Sequence, residues 1–389
     1  MKLNPERIKR IGRGLAILLF VFVVGGIGGV YFDQRVLPMI RTNRFLSHFE
    51  FLQRASENVT VINKTEQVTI KEDDSINEVA SQASNAVVNI ISISSQKDSF
   101  SRTAKEIDQN GTGVIVTSDG MIATYRSAII EQNATYEVLL YDGSHYDAKL
   151  LGVDEFTNLA YLKIDAPNLT AISFADSSSA IVGKKVVAIG NGLGQYRNRY
   201  AAGLLSNIDK TFNLGGKTVS SSEKLEGVFE SDFNGSSDYV GGPIIGYSGD
   251  MLGIIGKITI NNVDQYFEIP SNAVQQSMQV ALGGKFDSRP VLGAYYIPVT
   301  KEYALVHGLN MQNGAMIYAP SGQQGLAILS GSAAQIAGLQ INDIVTKVND
   351  QEVNLDNPLS DLLSQHAKGE TVTLTISRAG KEMALPVKL

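Results

Sequence analysis

No cysteine occurs anywhere in the 389 residues. Its absence excludes disulfide staples, thiol catalysis and thiolate metal sites. It leaves the compartment open, because large domains outside the cytoplasm can be stabilised by core burial alone. Histidine is scarce: His48, His145, His307 and His366 are the complete set, so any mechanism built on an imidazole base must draw on these. No P-loop, no G-x-G-x-x-G after a strand, no H-E-x-x-H and no EF-hand loop is present. "GNGLG" at 190–194 imitates a phosphate loop, but its place after "VVAI" fits a loop of a β-barrel. No cofactor and no metal site is therefore expected. An excess of positive charge is missing too. The net charge of −6 argues against nucleic acid as a partner.

What is present is ordinary for a folded protein: 43% apolar and 19% charged residues, enough for two or three domains of ~100–200 residues each. One segment stands apart. Gly14–Phe32, "GLAILLFVFVVGGIGGVYF", carries no charge, and as a helix it would span roughly 28 Å, the thickness of a bilayer's hydrocarbon core. Lys2, Arg7, Lys9, Arg10 and Arg13 precede it and Arg35, Arg41 and Arg44 follow. The positive-inside rule then keeps the N-terminal tip in the cytoplasm and the bulk of the chain on the extracytoplasmic side. No A-x-A-like cleavage site follows the run, so the reading is a single-pass transmembrane anchor over residues 1–32. Residues 33–68 read as a juxtamembrane linker.

From 69 to 282 the chain alternates short β-rich runs with turns. Asp119-Gly120 and Asp142-Gly143 are hairpin signals. Many short strands without long intervening helices indicate a mainly β fold, barrel or sandwich. "GGKFDSRP", 283–290, is a Gly/Pro-bounded linker. Residues 291–389 change character to strands with two helices, an α+β module.

The stretch "SDYVGGPIIG", 237–246, poses the functional question. With "GTGVIVTSDGMIATYRSAI", "FTNLAYLKID", "VGKKVVAIGNGLG", "GGPIIGYSGDMLGIIG", "FEIP" and "SGSAAQIAGLQINDIVTKVN" in this order, the chain beyond the anchor resembles the HtrA/Deg family. These are trypsin-like serine proteases with a C-terminal PDZ domain. The resemblance implies a chymotrypsin-like double β-barrel over 69–282 and a PDZ domain over 291–389. It also assigns the catalytic positions, and here the chain departs from the family. Ser127 stands where the family has histidine, Asn158 where it has aspartate, and Val240 where it has the serine nucleophile.

A valine has no lone pair to attack with, and a serine is no base near neutral pH. Ser236 and Ser237 lie upstream of Val240 by about 10 Å of extended chain, too far for an attack that needs about 3–3.5 Å. No intact catalytic set is expected. The backbone N–H groups of Asp238 and Val240 remain candidates for an oxyanion-type site, with Tyr239 and Val240 filling the cleft.

In the C-terminal module the resemblance implies that Leu292, Gly293 and Ala294 form the loop that receives a peptide carboxylate. Tyr295 and Tyr296 would start the strand that pairs with the peptide, and Leu359, Leu362 and Leu363 would wall the groove. The expected protein is a membrane-anchored pseudoprotease that binds peptide or protein C-termini in protein quality control, as sensor, scaffold or chaperone-like partner. The family further implies a homotrimer or association with an active relative. Two alternatives stay open: an active serine endopeptidase using displaced residues, and a structural envelope protein.

Overall fold

The computed structural model describes residues 78–97, 104–192, 198–216, 219–233, 235, 237–320 and 324–389, together with scattered residues between 20 and 31. Phe20, Val21, Val23–Gly26, Gly28, Gly29 and Tyr31 are helical. Most of the expected anchor, its cytoplasmic tip and the linker 33–68 with His48 lie outside the described residues. Among the described residues no helix is long and apolar enough to cross a membrane. The chain divides after Asp74 into two compact units.

Six strands close the first barrel: β1 (Val87–Lys97), β2 (Ala104–Ile115), β3 (Met121–Tyr125), β4 (Ala134–Leu139), β5 (His145–Asp154) and β6 (Leu159–Ile164), in the order β1-β2-β3-β6-β5-β4. The Asp-Gly turns do what their chemistry suggests. Gly120 and Gly143 take positive φ between β2 and β3 and between β4 and β5. Val88, Ile90, Ile122, Leu162 and Ile164 fill the interior with no exposure above 1%.

The second barrel uses β7 (Lys185–Gly190), β8 (Arg199–Asn213), β10 (Glu226–Ser231), β11 (Pro243–Gly246), β12 (Met251–Ile260) and β13 (Val263–Pro270). Their order is β10-β13-β12-β11-β7-β8, again closed. Asn261 and Asn262, both at positive φ, make the two-residue turn between β12 and β13, where asparagine tolerates the left-handed region. The two barrels share a core in which Tyr125, Ala128, Val187, Ile189, Val240, Ile254 and Phe267 meet. Helix Ser271–Leu282 packs across both, and Tyr161 of β6 donates its hydroxyl to the Val274 carbonyl at 3.3 Å.

The C-terminal module is built on β14 (Tyr295–Pro298), β15 (Ala315–Ile317), β16 (Ile344–Val348), β17 (Gln351–Glu352), β18 (Thr371–Arg378) and β19 (Lys381–Lys388). Helices Lys301–His307 and Leu359–Ser364 pack on this sheet. The sheet runs β19-β18-β16-β15-β14, with β17 on β16, and at its far edge it accepts β9 (Ser220–Ser221) from the barrel unit.

The stretch 283–290, read from sequence as a linker, is docked. Phe286 lies so close over Gly152 that a β-carbon there would sit 2.5 Å from its ring. Arg289 makes a bidentate pair with the fully buried carboxylate of Asp154 at 3.0 and 2.5 Å and stacks 4.6 Å over Phe156. Lys210 and Asp356 form a further ion pair across the same junction.

Candidate functional site

The three positions assigned to catalysis converge where the barrels meet. Strand β3 ends at Tyr125 and a single 3-10 turn, Arg126–Ala128, presents Ser127 to solvent. The Arg126 N–H donates to the Asn158 carbonyl at 2.9 Å, which brings the residue before β6 alongside. Asn158 takes φ 56°, a conformation asparagine tolerates. From the second barrel comes the turn Ser237–Tyr239 followed by Val240 and Gly241. Gly241 has φ 86°, and a β-carbon on it would lie 2.2 Å from the Thr112 carbonyl and the Thr124 hydroxyl and 3.3 Å from the Ala128 β-carbon. Only glycine fits such a conformation and approach, so the turn abuts the element that carries Ser127.

These positions carry a hydroxyl, a carboxamide and an alkyl side chain. Val240 is 3% exposed, with its side chain in the inter-barrel core. The Val240 N–H, expected to serve an oxyanion-type site, donates to the Ser237 carbonyl at 3.2 Å within its own 3-10 turn. The Gly242 N–H is likewise bound to the Tyr239 carbonyl at 2.9 Å. Asp238 turns its carboxylate to Arg199 at 2.9 Å, and its carbonyl accepts from Thr112 Oγ1 at 2.9 Å.

Asn158 is held by cations: its Oδ1 accepts from Lys224 Nζ at 2.9 Å and from Arg126 at 3.3 Å. Glu155 bridges the same two cations at 3.1 and 2.9 Å. Burial works to raise the Glu155 pKa, but Lys224 and Arg126 outweigh it and hold the group below the usual range. The described histidines are elsewhere. His145 starts β5 and faces Glu137 at 3.8 Å across the hairpin, His307 stacks on Tyr303 at 4.1 Å, and His366 pairs with Glu370 at 2.7 Å. Among the described residues no cluster of three metal-ligating side chains exists. Ser237 is exposed on the turn, and Ser236 lies outside the described residues.

The second candidate site is the edge of β14. Leu292 and Ala294 bury their side chains in the module's core, so their backbone is left to make the loop. Between them Gly293 takes φ 75°, with a would-be β-carbon 2.3 Å from that of Ser332. Tyr295 and Tyr296 follow as the first residues of β14. Tyr296 is fully buried and donates its hydroxyl to Glu226 Oε2 at 2.7 Å.

The resemblance assigns Leu359, Leu362 and Leu363 to the groove wall. All three are core residues of the module, at most 2% exposed, because a short helix must turn its apolar face to the sheet. Its other face carries Ser360 and Ser364, which line a cavity of about 550 Å³ together with Ser222 and Glu223. Two acids at this junction were not singled out in the sequence. Glu226 is pushed up to about 7 by burial, against the hydrogen bond from Tyr296. Asp361 is pushed up to about 7 by burial and by the neighbouring Glu226.

Double barrel and module define a trypsin-like peptidase fold joined to a PDZ domain. The family model of the trypsin-like peptidase domain matches residues 111–254, and that of the PDZ domain matches 306–389. The chain is 30% identical over 82% of its length to a serine protease Do-like HtrA of Bacillus subtilis, covering 74% of that protein. A serine protease Do-like HtrA of Lactococcus lactis matches at 28% identity over 96% of this chain and 94% of its own. A probable periplasmic serine endoprotease DegP-like of Bartonella henselae matches at 32%, but the chain spans only 52% of its length. The solved structure of the HtrA-type protease AlgW with a decapeptide superposes with a TM-score of 0.61 at 23% identity, over 80% of this chain and 96% of that one. The chain belongs to the HtrA/Deg family.

Proposed function

We propose that this chain is an HtrA-like pseudoprotease, anchored in the cell membrane by residues 1–32, with its folded unit on the extracytoplasmic side. It binds peptide or protein C-termini through its PDZ domain in protein quality control, as sensor, scaffold or chaperone-like partner. Assembly as a homotrimer or alongside an active relative follows from the family. One observation carries the loss of catalysis: Ser127, Asn158 and Val240 meet at the barrel junction. They bring a hydroxyl, an amide and an alkyl group there, beside an amide N–H already bonded within its own turn. Such a site has no imidazole to activate the Ser127 hydroxyl and no nucleophile at position 240, and triad members act as a unit.

Binding is the chemistry left. An extended peptide adds to β14, and the loop Leu292–Ala294 receives its carboxylate. The test is an array of decapeptides with free C-termini, titrated against the full chain, with unfolded casein and a fluorophosphonate probe in parallel. Saturable, carboxylate-dependent binding without casein cleavage or serine labelling is expected. Labelling of a serine that is lost on mutating it would restore the endopeptidase reading. Absence of binding across the array would leave the structural envelope role.

A further inference from the structure

The groove that the previous reading assigns to peptides is occupied by the chain itself. Ser220–Glu223 lies on the edge of β14 opposite β15, antiparallel, with Ser221 facing Tyr295 and Ser220 facing Tyr296. Its direction is that of a bound C-terminus, because it runs toward the loop Leu292–Ala294. The Ser222 N–H donates to the Ala294 carbonyl at 3.0 Å, and the Ala294 N–H donates to Ser222 Oγ at 3.0 Å. The Gly293 N–H, the donor that a terminal carboxylate would claim, instead donates to the side-chain carboxylate Glu223 Oε1 at 2.8 Å. Ser220, Ser221 and Ser222 are all buried. Asn213 of β8 fixes their register, accepting from the Ser221 N–H at 3.1 Å and donating to the Ser221 carbonyl at 3.2 Å.

The next residue ties this strand to the other site. Lys224 leaves the groove and places its ammonium on Asn158 at 2.9 Å and on Glu155 at 3.1 Å. The occupant does not fill the space. The cavity beside Glu223 extends between Val291, Ser364 and Lys368 of the PDZ domain and Phe156 and Phe286 opposite, so an incoming chain end has a place to seat before pairing with β14.

We propose that Ser220–Glu223 is a built-in pseudo-ligand. Peptides with a free C-terminal carboxylate bind by displacing it, and displacement withdraws Lys224 from Asn158 in the barrel cleft. This rests on the peptide-binding reading but has its own test. The chain contains no cysteine, so the double variant Ser221→Cys/Tyr295→Cys carries a single possible bridge. Directly opposed residues of an antiparallel pair lie within disulfide reach, about 4.5–5.5 Å between Cα atoms.

The full-length variant is oxidised in air and its free thiols are counted. It is then titrated, oxidised and reduced, with the tightest peptide of the array. Bridge formation is expected, with peptide binding abolished in the oxidised protein and restored by reductant. Glu223→Ala, which removes the carboxylate from the Gly293 N–H, is expected to tighten peptide binding about tenfold, equivalent to about 1.4 kcal/mol. A folded variant that forms no bridge overturns self-occupancy. A bridge that leaves affinity unchanged overturns competition. If no peptide binds even to Glu223→Ala, the peptide-binding reading fails, while the bridge alone still decides whether the strand sits on β14.

Discussion

Single residues at the junction of barrels and PDZ domain set a pH dependence. Glu226 rises from 4.5 to about 7 on folding, and Asp361 from 3.8 to about 7. An acid with a raised pKa holds its proton in the folded state after the unfolded chain has lost it. Its stabilising share is complete below the unfolded value, declines as pH rises through about 7, and is gone above it. For Glu226 the shift corresponds to about 3 kcal/mol at ~1.4 kcal/mol per unit. Urea unfolding of the full chain is expected to show lower stability at pH 8 than at pH 5. Glu226→Gln, which stays neutral throughout, should flatten that slope and be the more stable protein at pH 8. Equal slopes for the two proteins would show that Glu226 titrates as it does in the unfolded chain.

At the scale of elements, the docked segment 283–290 joins two parts that composition separates. Arg289 satisfies a carboxylate with no exposure, and removing one partner of a buried pair costs about 3–5 kcal/mol because a charge is left uncompensated. Arg289→Ala is expected to lower the urea midpoint accordingly. Asp154→Asn/Arg289→Ala should recover part of the loss, since no buried carboxylate remains.

Sequence reading found the elements themselves. The Asp-Gly hairpins, the β-rich spacing and the Gly-Gly-Pro turn are local signals, and the structure has strands where they indicate. It could not find what this segment does, because Phe286 meets Gly152 and Arg289 meets Asp154 across more than 130 positions. Nor did it orient the helix at 359–364. The leucines were legible as apolar, but only the sheet decides that they face the core and that Ser360 and Ser364 face the cavity. The pairing of β9 is hidden for the same reason: nothing in three serines and a glutamate marks a strand until β14 lies beside them.

At the scale of the whole molecule, the proposed loss of catalysis is structural as well as chemical. Ser127→His/Asn158→Asp/Val240→Ser would put the three side chains back at the barrel junction. It would leave the amide of residue 240 bound to the Ser237 carbonyl and Lys224 over position 158. Removing one oxyanion donor alone costs about 10²–10³ in turnover. The triple variant is therefore expected to cleave casein no faster than background, assayed by release of labelled fragments. Robust turnover would mean that the turn rearranges readily and that the fold has kept its catalytic potential.

The clamp of Arg289 on Asp154 bears on how the groove exchanges occupants. It grips the root of the PDZ domain from outside the β9 pairing, as does Phe286, so letting go of four residues does not let go of the domain. Exchange then resembles opening a zip along one seam while the garment stays fastened at the collar. The barrier is that of peeling a short strand, and the domain keeps its bearing on the barrels while its tenant changes.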